Sequence, residues 1–291
     1  MSLPMYDQAA NLRKKVEARR EPKQAKTIAV VSGKGGVGKS NFAVNFCLSL
    51  SKKQKKVLLF DLDIGMGNID VLLGKTSRLS IVDIFERQLP IQDVIEQISD
   101  SFAYISAGSG LSNIFAMGNE QFDYFIDQYE LLTGLFDFII FDMGAGITEG
   151  SANFLMAADE AIVVTTPEPT SLTDAYAMIK HITREDLNLP LFLLINRIPN
   201  QRIGKQTAAR LQRVAGQFLG KELAILGMLP EDKAVVQAVI SQTPFIEKSP
   251  KTAAAKAVRE ITDMFLDGDR PDSRRASSSF IKKLTHFIKE R

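Results

Sequence analysis

The 291-residue sequence contains one cysteine, Cys47, and two histidines, His181 and His286. A lone thiol permits no intramolecular disulfide and no site in which two cysteines hold one metal. Neither histidine falls beside a serine or cysteine that could serve as a nucleophile, so covalent acyl chemistry is not expected. An excess of one charge is missing as well. The 36 Lys and Arg against 34 Asp and Glu give a formal net charge of +2, so electrostatic function must be local and no global basic field points to nucleic acid. No apolar run approaches the roughly 18 residues of a membrane span; FDFIIF at 136–141 has only strand length. Residues 1–26 lack the apolar stretch of a signal peptide. A soluble cytoplasmic protein is expected.

What is present is an ordinary globular balance, 45% hydrophobic and 24% charged, which excludes a wholly disordered or collagenous chain. Composition divides the chain into four segments. Residues 1–26 are polar and rich in Arg and Lys; 27–266 alternate apolar runs with amphipathic segments; 267–279 (DGDRPDSRRASSS) have linker content; 280–291 form a short amphipathic end. Within the second segment TIAVVS (27–32), KVLLFDL (56–62), FAYIS (102–106), FDFIIFDM (136–143), EAIVVTT (160–166), PLFLLIN (190–196) and LAILGML (223–229) are apolar on successive positions. That pattern suits strands covered on both faces. Helical patterns, such as 171–184 and 205–218, lie between them. The spacing predicts one α/β domain: a doubly wound, mostly parallel sheet with helices on both faces.

The first strand runs into Gly33-Lys34-Gly35-Gly36-Val37-Gly38-Lys39-Ser40, and a helix opens at Asn41. This matches G-x-x-x-x-G-K-[ST] in a strand–loop–helix setting. Glycines let consecutive backbone N–H groups curl around phosphate oxygens, and the helix start adds a positive dipole end. Lys39 can then reach the β and γ phosphates while the Ser40 hydroxyl ligates Mg²⁺. The plain alternative is a glycine turn with two solvated lysines. Farther on, Asp61 and Asp63 end the second strand on one face, FDFIIFDMGAG (136–146) ends in Asp142 and two glycines, and Asn196-Arg197 and Pro230-Glu231-Asp232 end two later strands.

Lys34 has no duty in an ordinary phosphate loop. GKGGVGKS resembles the deviant Walker A motif of the MinD/ParA ATPases, where this early lysine crosses a dimer interface to the partner's nucleotide. The resemblance covers residues 27–266 and implies an ATP site of Gly33 to Asn41 with Lys34, Lys39 and Asp63 catalytic. By the same match Asp61 contacts the water shell of Mg²⁺, Asp63 orients the attacking water, and Asp142 is the Walker B carboxylate. Asn196, Arg197, Pro230, Glu231 and Asp232 resemble the family's base-recognition loops; a carboxamide suits adenine because it both donates and accepts. The family often has D-x-P-A-G where this chain has Asp142-Met143-Gly144-Ala145-Gly146. The missing proline implies a looser switch and removes no ligand. ATP and Mg²⁺ are the implied cofactors, and slow hydrolysis used as a switch the implied activity.

The two ends narrow the branch. Phe280, Ile281, Leu284, Phe287 and Ile288 share one helical face, with Lys282, Lys283, Lys289 and Arg291 around it. Beyond a flexible linker this reads as a membrane-surface helix; a terminal helix docking on its own core fits the same pattern. Asp7-Gln8-Ala9-Ala10-Asn11-Leu12-Arg13 resembles the DQAxxLR segment of FlhG-type MinD relatives, which regulate flagellar number and position. That resemblance implies that Asp7, Gln8, Ala9, Leu12 and Arg13 engage and stimulate an SRP-type GTPase, FlhF. An Arg/Lys-rich arm brushing nucleic acid is the alternative. The combination implies an ATP-dependent homodimer bound peripherally to anionic lipids of the inner membrane face. Flagellar basal-body components are further partners, and no specific nucleic acid is expected. A division-site MinD or a ParA-like DNA-partition ATPase remains the competing reading.

Overall fold

Apolar side chains on successive positions need cover on both faces, and β1 (Lys26–Ser32) shows how it is supplied. Ile28 and Val30 point into one core while Ala29 and Val31 point into the other, the two-residue alternation of a pleated strand. The structure, a computed structural model, describes residues 24–63, 68–108, 119–146, 149–268 and 279–289. The Asp7–Arg13 segment and most of the linker lie outside the described residues.

Eight strands form one sheet in the order β3 (Glu96–Ser99), β4 (Phe102–Ile105), β2 (Val57–Leu62), β5 (Phe138–Ala145), β1, β6 (Glu160–Thr165), β7 (Leu191–Ile198) and β8 (Ala224–Pro230). Every neighbouring pair is parallel except β3 with β4. The sequence reading finds seven of these strands and misses β3. EQIS is four residues long and only half covered, too short and polar to register as a buried strand.

One face carries α1 (Lys39–Lys52), α2 (Ile69–Leu73), α9 (Lys233–Ile240), α10 (Phe245–Lys248) and α11 (Ala253–Asp267). The other carries α3 (Ile81–Arg87), α4 (Ile91–Val94), α5 (Asn119–Thr133), α6 (Glu149–Ala157), α7 (Pro169–Glu185), α8 (Gln201–Leu219) and α12 (Ser279–Lys289). The doubly wound α/β expectation is therefore met. Because the strands are parallel, the loops after β1, β2, β5, β6, β7 and β8 all open at one sheet edge, where ligands of such sheets bind. The domain begins slightly earlier than residue 27: Lys26 opens β1, and Ala25 is buried with its N–H donated to Thr133 O at 2.8 Å.

The C-terminal helix takes the docked arrangement. Phe280 and Leu284 of α12 are buried in the second core, and Ile281, Phe287 and Ile288 pack against it. The Phe280 ring lies 4.7 Å from Tyr129 and stacks on Phe141 at 5.2 Å, and Lys289 Nζ pairs with Asp123 at 2.5 Å. The five apolar residues that suit a lipid surface are thus turned toward the protein here. Use of this face on a membrane requires that the helix first leave its seat. Among the described residues no helix is long and apolar enough to cross a membrane.

Asp159 sits at the edge of this seat. The backbone N–H and hydroxyl of Thr27 both donate to its Oδ2 at 2.8 Å, while Oδ1 is buried without a partner among the described residues. Burial raises its pKa above the usual carboxylate range; the Thr27 bonds, Lys283 of α12 and Lys26 pull it back. A raised carboxyl pKa adds stability that is complete below the unfolded-state value and is lost as pH rises through the folded-state value. Asp159→Asn should therefore gain thermal stability relative to the wild type as pH climbs from about 4 toward neutrality. Melting curves of both proteins across that range check it; parallel pH profiles would contradict it.

Candidate nucleotide site

The loop between β1 and α1 is shaped by what crowds it. An added Cβ on Gly33 would lie 2.1 Å from the carbonyl oxygen of Asp174 in α7, so no larger residue fits without displacing backbone. Gly36 and Gly38 hold φ of +79° and +90°, the left-handed region that glycine enters at little cost. Gly38 caps α1 with no side-chain bond, which leaves the first N–H groups of that helix unspent and aimed at the sheet edge. That is a cradle for an anion. The chain reverses tightly here, and Ser32 Oγ donates to Lys34 O at 3.0 Å.

Carboxylates stand opposite the cradle. Asp61 of β2 and Asp142 of β5 are register neighbours in the sheet and both are buried. Lys39 Nζ meets Asp142 Oδ1 at 2.6 Å, a buried ion pair. Asp142 Oδ2 has no partner among the described residues although it is inaccessible to solvent. Burial, with Asp142 close by, pushes Asp61 up to about 7, and Lys39 and two backbone N–H groups oppose the rise. Asp63 is raised by burial and lowered by Lys39. It lies against Gly144, where an added Cβ would come 3.3 Å from Oδ1. Gly144 occupies the place of the family's proline and keeps room for this carboxylate. Gly146 N–H reaches back to Ser32 O at 3.1 Å, tying the glycine loop after β5 to the phosphate loop.

Mg²⁺ fits these residues. The unpartnered oxygen of Asp142 and the raised Asp61 carboxyl are what a site short of one cation leaves behind, and Ser40 stands next to Lys39 at the helix start. Among the described residues no cluster of three His, Cys, Asp or Glu forms a metal cage. Mg²⁺ beside phosphates commonly needs only one or two carboxylates.

Lys34 extends over the mouth, 43% exposed, with Nζ 3.1 Å from Thr170 Oγ1 and 3.7 Å from Glu168 Oε2. Both partners lie at the start of α7, and sequence reasoning missed them; the only signal was Pro169 opening a helix just after a strand. The later loops gather as expected on the flank of the cradle. A cavity of about 420 Å³ opens between Asn41, Asn196, Arg197 and Pro230. Its wall adds Phe42, Leu229, Val235 and Val236, an apolar surface for a planar base that the polar motifs did not announce. Asp232 has another duty: its Oδ1 accepts from Ala234 N at 2.9 Å and its Oδ2 from Ala254 N at 3.2 Å. It caps α9 and pins α11 while also lining the cavity. Glu231 is exposed, and its N–H bonds Ile198 O at 3.0 Å, joining the two loops.

The ParA family model, described as NUBPL iron-transfer P-loop NTPase, matches residues 23–266. The chain is 33% identical over 234 residues to the antiactivator FleN of Pseudomonas aeruginosa, covering 80% of this chain and 84% of FleN. It is also 33% identical over 270 residues to the flagellum site-determining protein YlxH of Helicobacter pylori, with 90% of each chain covered. Among solved structures, the MinC:MinD cell division protein complex of Aquifex aeolicus contains a chain with a TM-score of 0.68 and 26% identity, covering 85% of this chain and 98% of that one.

The close approach at Gly33 gives a direct test. Gly33→Ala should force the loop and α7 apart, costing about 1–3 kcal/mol as overpacking does, and should weaken nucleotide binding at least roughly tenfold. Thermal unfolding with calorimetric titration of Mg-ATP checks both; an unchanged affinity would mean that the loop tolerates the shift.

Proposed function

Because the chain belongs to the ParA/MinD family of P-loop NTPases, we propose that it is an ATP-dependent, dimerising ATPase switch that regulates flagellar number or placement. The observation that supports this reading most is the likeness over four-fifths or more of the chain to a flagellar antiactivator and a flagellar site-determining protein. ATP lies in the glycine cradle with its base in the cavity beside Asn196 and Pro230. Ser40, Asp61 and Asp142 are the residues that would hold Mg²⁺, which would supply charge neutralisation at the phosphates. Lys39 leaves Asp142 for the triphosphate, and Asp63 holds the attacking water in line. Lys34 leaves Glu168 and Thr170 and reaches a second copy's phosphates, which makes dimerisation nucleotide-dependent. Hydrolysis is slow and resets the switch.

The finer parts of the proposal concern the two ends. When α12 is released, a single tail with its few basic residues gains roughly 1 kcal/mol per charge at an anionic surface, which ordering of the peptide largely offsets. Two tails on one dimer act at high effective concentration and bind together. The membrane is therefore engaged by the ATP state, at the inner face of the cell membrane. The Asp7–Arg13 segment docks on an SRP-type flagellar GTPase and stimulates it. Basal-body components are further partners.

A DNA-partition reading has one observation behind it. Helix α8 exposes Arg202, Lys205, Arg210 and Arg213 and contains no acidic residue, a surface able to meet phosphates. Cosedimentation with anionic vesicles or with DNA, in ATP and in ADP, separates the two. The wild type and the hydrolysis-blocked Asp63→Ala variant should pellet with vesicles in ATP, and Phe287→Glu should not. Pelleting with DNA alone, or vesicle binding by Phe287→Glu, contradicts the membrane reading.

The arm is separable in the same way. A peptide of residues 1–23 should accelerate GTP hydrolysis by the SRP-type partner, and Gln8→Ala or Arg13→Ala should remove the effect. Phosphate release measured with each peptide decides; no stimulation by the wild-type peptide returns the division-site reading.

A further inference from the structure

The side chain of Asn196 is committed before any base arrives. Its Nδ2 donates to Val37 O at 2.7 Å, and its Oδ1 accepts from Arg197 N–H at 2.9 Å. Val37 is buried at the crest of the phosphate loop, and its carbonyl gains its donor from a residue 159 positions away. The approach is close: an added Cβ on Gly38 would lie 2.4 Å from Nδ2.

The other end of this contact is rigid. Asn196 follows Ile195, which pairs with both β6 and β8. Arg197 holds φ of +54°, a left-handed conformation that costs a non-glycine residue roughly 1–2 kcal/mol. It is kept there by its N–H bond to Asn196 and by Ile198, which rejoins β8 through Pro230 and accepts the Glu231 N–H. Strain retained at one residue with this many ties marks a geometry the surroundings enforce.

We propose that Asn196 is a positioning residue for the triphosphate cradle, a strut between β7 and the loop crest, in addition to its place beside the base. The proposal rests on the reading that this loop binds ATP. The reason lies in the peptide unit between Val37 and Gly38, which is planar and trans, so that its C=O and N–H point opposite ways. Drawing the carbonyl toward Asn196 fixes that peptide plane and turns the Gly38 N–H to its opposite side. A glycine-rich loop has more conformations to lose than any other segment. Without the strut, the bound phosphates must order the crest themselves, and the buried Val37 carbonyl loses its partner.

A residue that only reads adenine and one that holds the loop differ in a measurable way. Calorimetric titrations with Mg-ATP and with magnesium and inorganic tripolyphosphate, which has no base, compare the wild type with Asn196→Ala and the similarly branched Asn196→Leu. Both variants should lose affinity for both ligands by the same factor, roughly tenfold for one hydrogen bond to a buried carbonyl. Cooperative melting of the ligand-free variants shows that the fold persists, and either folded variant suffices. Unchanged tripolyphosphate affinity beside weakened ATP binding overturns the strut and leaves Asn196 a base reader. A wild type that binds neither ligand overturns the ATP reading beneath it.

Discussion

The buried pair of Lys39 with Asp142 governs the site. Both groups are nearly inaccessible, at 6% and 1% side-chain exposure, and each pays several kcal/mol in lost hydration. Stripping the lysine from the carboxylate with nothing in return costs about 3–5 kcal/mol. A triphosphate can displace it because it brings several charge-assisted bonds, worth roughly 1.5–3 kcal/mol each, to a cradle of N–H groups that otherwise face water. A ligand with a single phosphate offers too few such bonds to be a good competitor. The pair is therefore a threshold as well as a contact. It also joins the P-loop helix directly to β5 of the central sheet.

The same pair explains the acid cluster around it. With Lys39 paired to Asp142, burial and the neighbouring Asp142 carboxylate push Asp61 up to about 7, more than Lys39 and two backbone N–H groups offset. Parallel strands with β1 at the centre hold the carboxylates at fixed spacing, so the chemistry lies in loops mounted on a scaffold that does not move.

Much of this was legible in the sequence. Runs apolar on successive positions gave the parallel strands, because only strands covered twice read that way. The P-loop, Asp61, Asp63 and Asp142 were legible because local spacing alone places them at strand ends. β3 was not, since four half-polar residues acquire strand character only from β4 beside them. Nor were the resting partners of Lys34, the tie of Asp232 to Ala254 of α11 or the contact of Asn196 with Val37. Each joins residues far apart in the chain, 136 positions for Lys34 with Thr170, and no local pattern encodes such a meeting. The tail lies between these cases. Its amphipathic face was plain, but the same face serves a lipid surface or a protein groove, and the sequence carries no mark of which comes first.

Phe141 and Asp142 are consecutive in β5 and face opposite layers: one ring stacks on Phe280 of α12, the other side chain holds Lys39. The phosphate-loop lysine and the tail helix are thus held on the two sides of one strand. Free energy is a function of state, so any factor by which bound ATP loosens α12 returns as the same factor on ATP affinity when something else holds α12 away. On the proposed reading, a lipid surface that held the tail away would act as a heterotropic effector. It would then raise ATP affinity by the same factor by which ATP favours binding to that surface.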